Sequence, residues 1–232
     1  QLIQPLSNVD DSPNFTEILL RLRAEDGSII KPASFLPAAE RYHLMPAIDR
    51  WVVKHVFEHI SQQSEDDCFA MYSINLSGQS LGDEAFLDYV LEQYEDSGVA
   101  FTRVCFEITE TAVISNIVTA RNFIEVLRDK GCHFALDDFG SGLSSFSYLK
   151  SLPVDYLKID GNFIRGLTSD QNDFNLVISI NQIGHVMGIS TIAEFVEDKG
   201  TLHALDEIGI DYVQGYHIAR PCALQKEDVL LT

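Results

Sequence analysis

Eight short runs with the look of β-strands recur along the chain, and this repetition limits the available folds more than any other feature. They are LIQPL (2–6), FTEILLRL (15–22), FAMYSINL (69–76), RVCFEIT (103–109), HFALDDF (from 133), VDYLKID (154–160), STIAEFV (190–196) and DYVQGYH (211–217). Most of the segments between them, such as PASFLPAAERYHLMPAIDRWVVKHVFEHI and NIVTARNFIEVLRDKG, carry apolar residues at helical spacing. Alternation of this kind implies a mainly parallel sheet, and eight units imply a barrel. Only residues 7–14 separate the first two runs, whereas a parallel crossover needs about a dozen residues. The expected architecture is therefore an α/β modified TIM (β/α)8 barrel with its first strand antiparallel, and its site at the C-terminal ends of the parallel strands. The 232 residues contain no linker-like tract, so residues 1–232 read as one domain.

Strand side chains alternate between faces, so every second residue of a barrel strand enters the lumen. Glu17, Leu19 and Arg21 share one face of the second run, Asn75 lies near the end of the third and Glu107 lies in the fourth. Asp137 ends the fifth, Lys158 and Asp160 end the sixth, Glu194 lies in the seventh, and Gln214 and Tyr216 lie in the eighth. One such acid would mean little, since isolated acids are usually solvated or satisfied. Repeated on strands that are otherwise apolar, they describe anions converging in one place, which requires cations. Oxygen donors without His or Cys suit Mg²⁺ or Mn²⁺, and the adjacent Asp137 and Asp138 could serve two ions.

The remaining composition narrows the partners. Asp and Glu number 35 against 16 Lys and Arg, a net charge of −19, which argues against binding a DNA or RNA polymer or an anionic membrane surface. A small phosphate ligand remains compatible if metal ions neutralise the acidic cleft. Cys68, Cys105, Cys132 and Cys222 form no CxxC pair and are expected to be reduced core thiols. No apolar run is long enough for a membrane span, and the start QLIQPLSNVDD lacks Met and a secretion signal. A cytoplasmic segment of a longer, multidomain protein is expected, with membrane contact only through domains outside this sequence.

In these motifs the chain closely resembles the EAL-domain phosphodiesterases, which hydrolyse cyclic di-GMP. The family's EALLRW appears as EILLRL (17–22), followed in the family's order by INLS (74–77), FEITE (106–110), DDFGSGLSS (137–145), LKID (157–160), AEFVE (193–197) and QGY (214–216); IQPL matches the usual start. The resemblance implies two divalent cations, Mg²⁺ or Mn²⁺, one held by Glu17, Asn75, Glu107 and Asp137 and the other by Asp137, Asp138 and Glu194. It implies attack of an activated water on one phosphodiester, with Lys158 orienting the water or neutralising charge and Glu194 also serving as general base. Gln4, Arg21, Asp160 and Gln214 would contact the substrate. Glu110 would anchor the loop Phe139–Ser145, to which Gly140 and Gly142 give backbone freedom, and Glu197 would support the site. A homodimer is a further family expectation. Four positions depart from the common pattern: Ile18 for Ala, Leu22 for Trp, Leu143 for Tyr and Phe195 for Gly.

Besides an unrelated barrel metallohydrolase, which would turn over other phosphodiesters and be indifferent to cyclic di-GMP, two rival readings stand beside this one. HVFEH (55–59) fits a zinc-peptidase pattern, but it continues the apolar stripe of Ile48, Trp51, Val52, Val56 and Ile60 and has no evident third ligand. The second is a catalytically silent receptor for cyclic di-GMP; such receptors usually lose a metal ligand or the lysine, and this chain retains the full set.

Overall fold

β-Branched and aromatic residues fill the short strand runs, and such side chains pack well on a pleated, half-buried surface. The computed structural model describes residues 1–6, 15–63, 71–140 and 148–224. The chain order is β1 (Leu2–Pro5), β2 (Phe15–Ile18), β3 (Leu22–Arg23), β4 (Ile29–Ile30), α1 (Pro32–Arg41), α2 (Met45–Ser61), β5 (Met71–Leu76), α3 (Gly78–Leu81) and α4 (Glu84–Ser97). It continues with β6 (Val104–Thr109), α5 (Glu110–Ser115), α6 (Ile117–Arg128), β7 (His133–Phe139), β8 (Tyr156–Ile159), α7 (Gly161–Gly166), α8 (Gln171–Val186), β9 (Ser190–Ala193), α9 (Lys199–Ile208) and β10 (Tyr212–Val213). Helix starts follow from local capping: Asp83, Thr109, Asn116, Asp170 and Asp198 each accept a backbone N–H from the first turn that follows.

Eight of the strands close a barrel in the order β1-β10-β9-β8-β7-β6-β5-β2. β1 runs antiparallel to both neighbours, with Leu2 opposite Thr16 and Gln4 opposite Val213, and the other barrel pairs are parallel. The expected modified barrel is thus observed. The connection over residues 7–14, on which that expectation rested, lies outside the described residues. β3 and β4 form a separate two-stranded ribbon beside the barrel. The long segment read as one helical stretch is divided into α1 and α2 by Tyr42–Leu44, where His43 takes a left-handed φ of 55°.

Alternation on the strands separates two cores. Outward residues such as Ile74, Phe106, Leu136, Leu157 and Val213 pack beneath the helices. Inward residues Ile3, Phe15, Met71, Cys105, Ala135, Tyr156, Ile192 and Tyr212, one from each barrel strand, fill the lumen as an apolar floor. Phe15 lies 5.3 Å from Tyr156 and 5.6 Å from Tyr212, ring centre to ring centre. Cys105 and Cys132 are buried thiols as expected, but Cys222 is exposed, because it follows Pro221 in the tail beyond β10. Cys68 lies outside the described residues. Among the described residues no helix is long and apolar enough to cross a membrane.

The floor makes a direct stability prediction. Phe15→Ala should lower the unfolding free energy by about 3–5 kcal/mol, because the ring reaches from β2 across the closed barrel to Tyr156 on β8 and the void cannot collapse. Urea unfolding followed by tryptophan fluorescence measures the loss; a change below about 1 kcal/mol would mean that the floor is not closely packed.

Candidate active site

The polar site lies one strand period above the floor. Two residues after Phe15, Met71, Cys105, Ala135, Tyr156, Ile192 and Tyr212 come Glu17, Ser73, Glu107, Asp137, Lys158, Glu194 and Gln214. Since the floor residues point inward, these positions share the lumen. Lys158, 1% exposed, occupies its centre. Its Nζ lies 2.5 Å from Glu107 Oε2, 2.8 Å from Glu194 Oε1, 3.4 Å from Asp137 Oδ1 and 3.8 Å from Glu17 Oε1.

Neutral groups complete the arrangement. Asn75 Nδ2 donates to Glu17 Oε1 at 2.8 Å, Gln214 Nε2 donates to Glu17 Oε2, and Ser73 Oγ donates to Glu107 Oε1. Burial opposes the charged form of Lys158, but Asp137, Glu107, Glu17 and Glu194 together hold its ammonium well above the ordinary lysine range. Burial raises Glu194 to about 7 against the lowering pull of Lys158, with Asp137 and Glu17 adding to the rise. Burial also favours neutral Glu17, yet Lys158 and the bonds from Asn75 and Gln214 outweigh it and hold that carboxyl low.

Four carboxylates around one ammonium leave an excess of negative charge, and Asp137 Oδ1 is buried without a hydrogen bond among the described residues. Asp137, Asp138 and Glu194 each offer an oxygen, all within 4.8 Å of one another. This donor set fits a hard divalent cation such as Mg²⁺ or Mn²⁺. Of the residues expected to hold another ion with Asp137, Glu17 and Glu107 contact Lys158 and Asn75 contacts Glu17. The Asn75 amide nitrogen faces Glu17, so its carbonyl oxygen is left for a ligand.

Asp138 enters the triad through a backbone feature that strand alternation does not supply. Its φ is 54°, and the β7–β8 register shifts between Leu136 and Phe139. A regular strand would send adjacent side chains to opposite faces; the left-handed turn at Asp138 allows both carboxylates to meet Glu194.

The other expected contacts are distributed less uniformly. Gln4 is exposed and does not reach the site: Ile3 takes the lumen position, so alternation sends Gln4 outward. Arg21 does not share a strand face with Glu17, because β2 ends at Ile18. It lies exposed near the mouth, with Nη1 donating to Leu20 O, beside an apolar groove of about 250 Å³ that Leu20, Leu22, Phe35 and Tyr42 help to line. Asp160 is buried at the rim and caps α7 by accepting from Asn162 N at 2.7 Å. β10 ends at Val213, placing Gln214 in the lumen and Tyr216 outside it, against Arg220. Glu197 is exposed and does not support the site, since it lies beyond the turn that returns Val196 to the core.

Glu110, expected to anchor the loop Phe139–Ser145, contacts one residue on each side of 141–147, a stretch outside the described residues. It accepts Gly140 N at 3.2 Å and Tyr148 Oη at 2.6 Å; Gly142 and Leu143 lie outside the described residues. Sequence reading overlooked Ser73 and Gln1. Ser73 was detectable from its period-two relation to Asn75, whereas Gln1, whose Oε1 accepts from Gln214 Nε2, depends on barrel closure. In HVFEH, His55 contacts Trp51 O and His59 contacts Gln63, and neither belongs to a metal-binding group among the described residues.

Residues 3–221 match the family model described as EAL domain. The chain is 47% identical over 208 residues to cyclic di-GMP phosphodiesterase PdeB of Shewanella oneidensis, covering 88% of this chain and 24% of that protein. It is 35% identical to cyclic di-GMP phosphodiesterase PdeF of Escherichia coli, covering 89% and 28%, so it spans about a quarter of the length of these relatives. The FimX EAL domain from Pseudomonas aeruginosa bound to c-di-GMP superimposes with a TM-score of 0.88 at 28% identity, covering 98% of this chain and 91% of that one. The PaMucR phosphodiesterase complex with c-di-GMP gives 0.83 at 29% identity, covering 88% and 83%.

The lysine cluster predicts how the metal-free protein responds to charge removal. Lys158→Met should destabilise it by about 3–5 kcal/mol at pH 8, since it strands buried carboxylates. Lys158 pulls the Glu17, Glu107 and Glu194 carboxyls down, so without the ammonium each binds protons at higher pH than before, and the deficit should shrink as pH falls toward 5. Thermal melts in EDTA at both pH values measure this; an equal deficit at each would exclude electrostatic repulsion as its cause.

Proposed function

The chain belongs to the EAL-domain family, and from that premise we propose that it hydrolyses cyclic di-GMP to the linear dinucleotide with divalent cations. The observation that carries this reading is the convergence of Glu17, Glu107, Asp137 and Glu194 on Lys158, with Asp138 beside Asp137 and Glu194. Names of the relatives and of the solved neighbours support the same substrate.

Asp137, Asp138 and Glu194 would hold one cation, and Glu17, Asn75, Glu107 and Asp137 a second, with Mg²⁺ or Mn²⁺ matching these oxygen donors. When bound, the cations supply Lewis acidity and offset phosphate charge. Glu194 accepts the proton of the attacking water, and Lys158 orients that carboxylate from 2.8 Å and counters the charge that develops on phosphorus-bound oxygen. The water oxygen forms a bond to phosphorus while the ester bond to one ribose oxygen breaks, opening the ring; that oxygen leaves as a hydroxyl by taking a proton from solvent, and Glu194 returns its proton to solvent. The Arg21 guanidinium is shaped for a phosphate or guanine edge. The neighbouring apolar groove receives a guanine face, with Leu22 providing a smaller wall than the family's Trp.

Purified protein should convert cyclic di-GMP to the linear dinucleotide in Mn²⁺ or Mg²⁺ and stop when EDTA is added. Glu17→Ala should reduce turnover by about 10²–10³-fold while circular dichroism remains folded. Tight binding without product in the unmodified protein would instead identify a receptor. Unchanged turnover in the variant would remove Glu17 from the site.

A further inference from the structure

Phe195 stands where its barrel ladder is interrupted. Gln214 N donates to Ala193 O at 2.9 Å, while Val196 N donates to Gln214 O at 3.0 Å, so two residues, Glu194 and Phe195, stand between these bonds where a regular parallel ladder holds one, a one-residue bulge. Phe195 takes a left-handed φ of 53°, an uncommon conformation for a bulky side chain, and remains 44% exposed. Ordinary core burial therefore does not account for it.

Its ring instead lies across the start of α7. A Cβ added to Gly161 would meet Phe195 Cδ2 at 2.0 Å, Cγ at 2.7 Å and Cε2 at 2.8 Å, and Arg165 Cζ lies 4.1 Å from the ring centre on the next turn. Only a residue without a side chain leaves room for the ring in this position. α7 follows directly from β8, the strand that carries Lys158, and Lys158 Nζ lies 2.8 Å from Glu194 Oε1. The ring therefore spans from the residue beside Glu194 to the element that supplies its cationic partner.

We propose that Phe195 and Gly161 are a matched pair of positioning residues that holds Glu194 in register with Lys158 and Asp137. This rests on the role assigned to Glu194 under the proposed function. Gly161→Ala displaces the ring and, through the adjacent peptide, Glu194. Phe195→Gly relaxes the left-handed turn but frees Glu194 from α7. In Gly161→Ala/Phe195→Gly the added methyl group meets no ring.

The test compares wild type, both single variants and the double variant by Mn²⁺ titration calorimetry, kcat and KM for cyclic di-GMP, and melting temperature in EDTA. Gly161→Ala should weaken Mn²⁺ binding and kcat by about tenfold, with a smaller change in KM, and should lower the melting temperature. Phe195→Gly should lose about threefold in both Mn²⁺ binding and kcat without lower thermal stability, because glycine suits the positive φ. The double variant should return to the Phe195→Gly values, an interaction opposite to additivity. The pair is refuted if Gly161→Ala behaves as wild type, if the double variant is as impaired as Gly161→Ala, or if Phe195→Gly lowers only stability. A wild-type protein that neither binds Mn²⁺ nor forms product sinks the proposed function instead, and the melting temperatures then decide the pair: recovery in the double variant supports it and additive losses refute it.

Discussion

A single buried ammonium sets the terms for this barrel. Lys158 is surrounded by Glu17, Glu107, Asp137 and Glu194, and desolvating any of these charges alone would be costly. Their attraction offsets that cost only because separate strands deliver them to one place. The apolar floor makes the delivery geometric: Tyr156 points inward, so Lys158 does too, and the same step links Phe15 to Glu17, Cys105 to Glu107 and Ile192 to Glu194. Packing below and charge above are thus two consequences of one strand periodicity.

That periodicity is also why much of the site was legible in the sequence. Glu17, Glu107, Asp137, Lys158, Glu194 and Gln214 could be assigned to the lumen because strand side chains repeat every two residues. The same rule failed where a strand was assumed to continue. β2 stops at Ile18 before the chain enters the β3–β4 ribbon, removing Arg21 from the face of Glu17, and Ile3 claims the inward position that would otherwise implicate Gln4. The division between α1 and α2 was hidden for another reason: apolar spacing continues across it, while the turn depends on the left-handed conformation of His43. The lumen contact of Gln1 likewise depends on strands distant in sequence closing the barrel.

Charge at the scale of the whole chain acts against the ligand chemistry proposed for its mouth. A net charge of −19 repels an anionic dinucleotide at long range, and screening limits that repulsion to roughly 8 Å at physiological salt. Close to the strands the balance changes. Divalent cations held by the acidic oxygens would reverse the local sign, while Lys158 already supplies positive charge within the low-dielectric lumen. Selectivity for a phosphate ligand can therefore arise in the site without a basic surface, and the acidic exterior disfavours long polyanions that could engage more of it.

The two irregularities beside the acidic triad explain how regular strands can make an irregular charge cluster. At Asp138 the β7–β8 register shifts, and at Phe195 the β9–β10 ladder skips; both residues have positive φ. If both strands continued regularly, Asp138 would face away from Asp137, and Glu194 would be followed by an ordinary outward residue paired to its neighbour. The breaks instead bring Asp137, Asp138 and Glu194 within ligand distance of one another. Such conformations are sustained only where surrounding structure over-determines them. Around Phe195 that structure is visible in the close approach of Gly161 and the stacked Arg165; around Asp138 it includes the anchoring of adjacent Gly140 by Glu110. Within the described barrel strands and their ends, the left-handed non-glycine residues Asp138 and Phe195 thus stand at the two points where regular pairing gives way to convergence of charge.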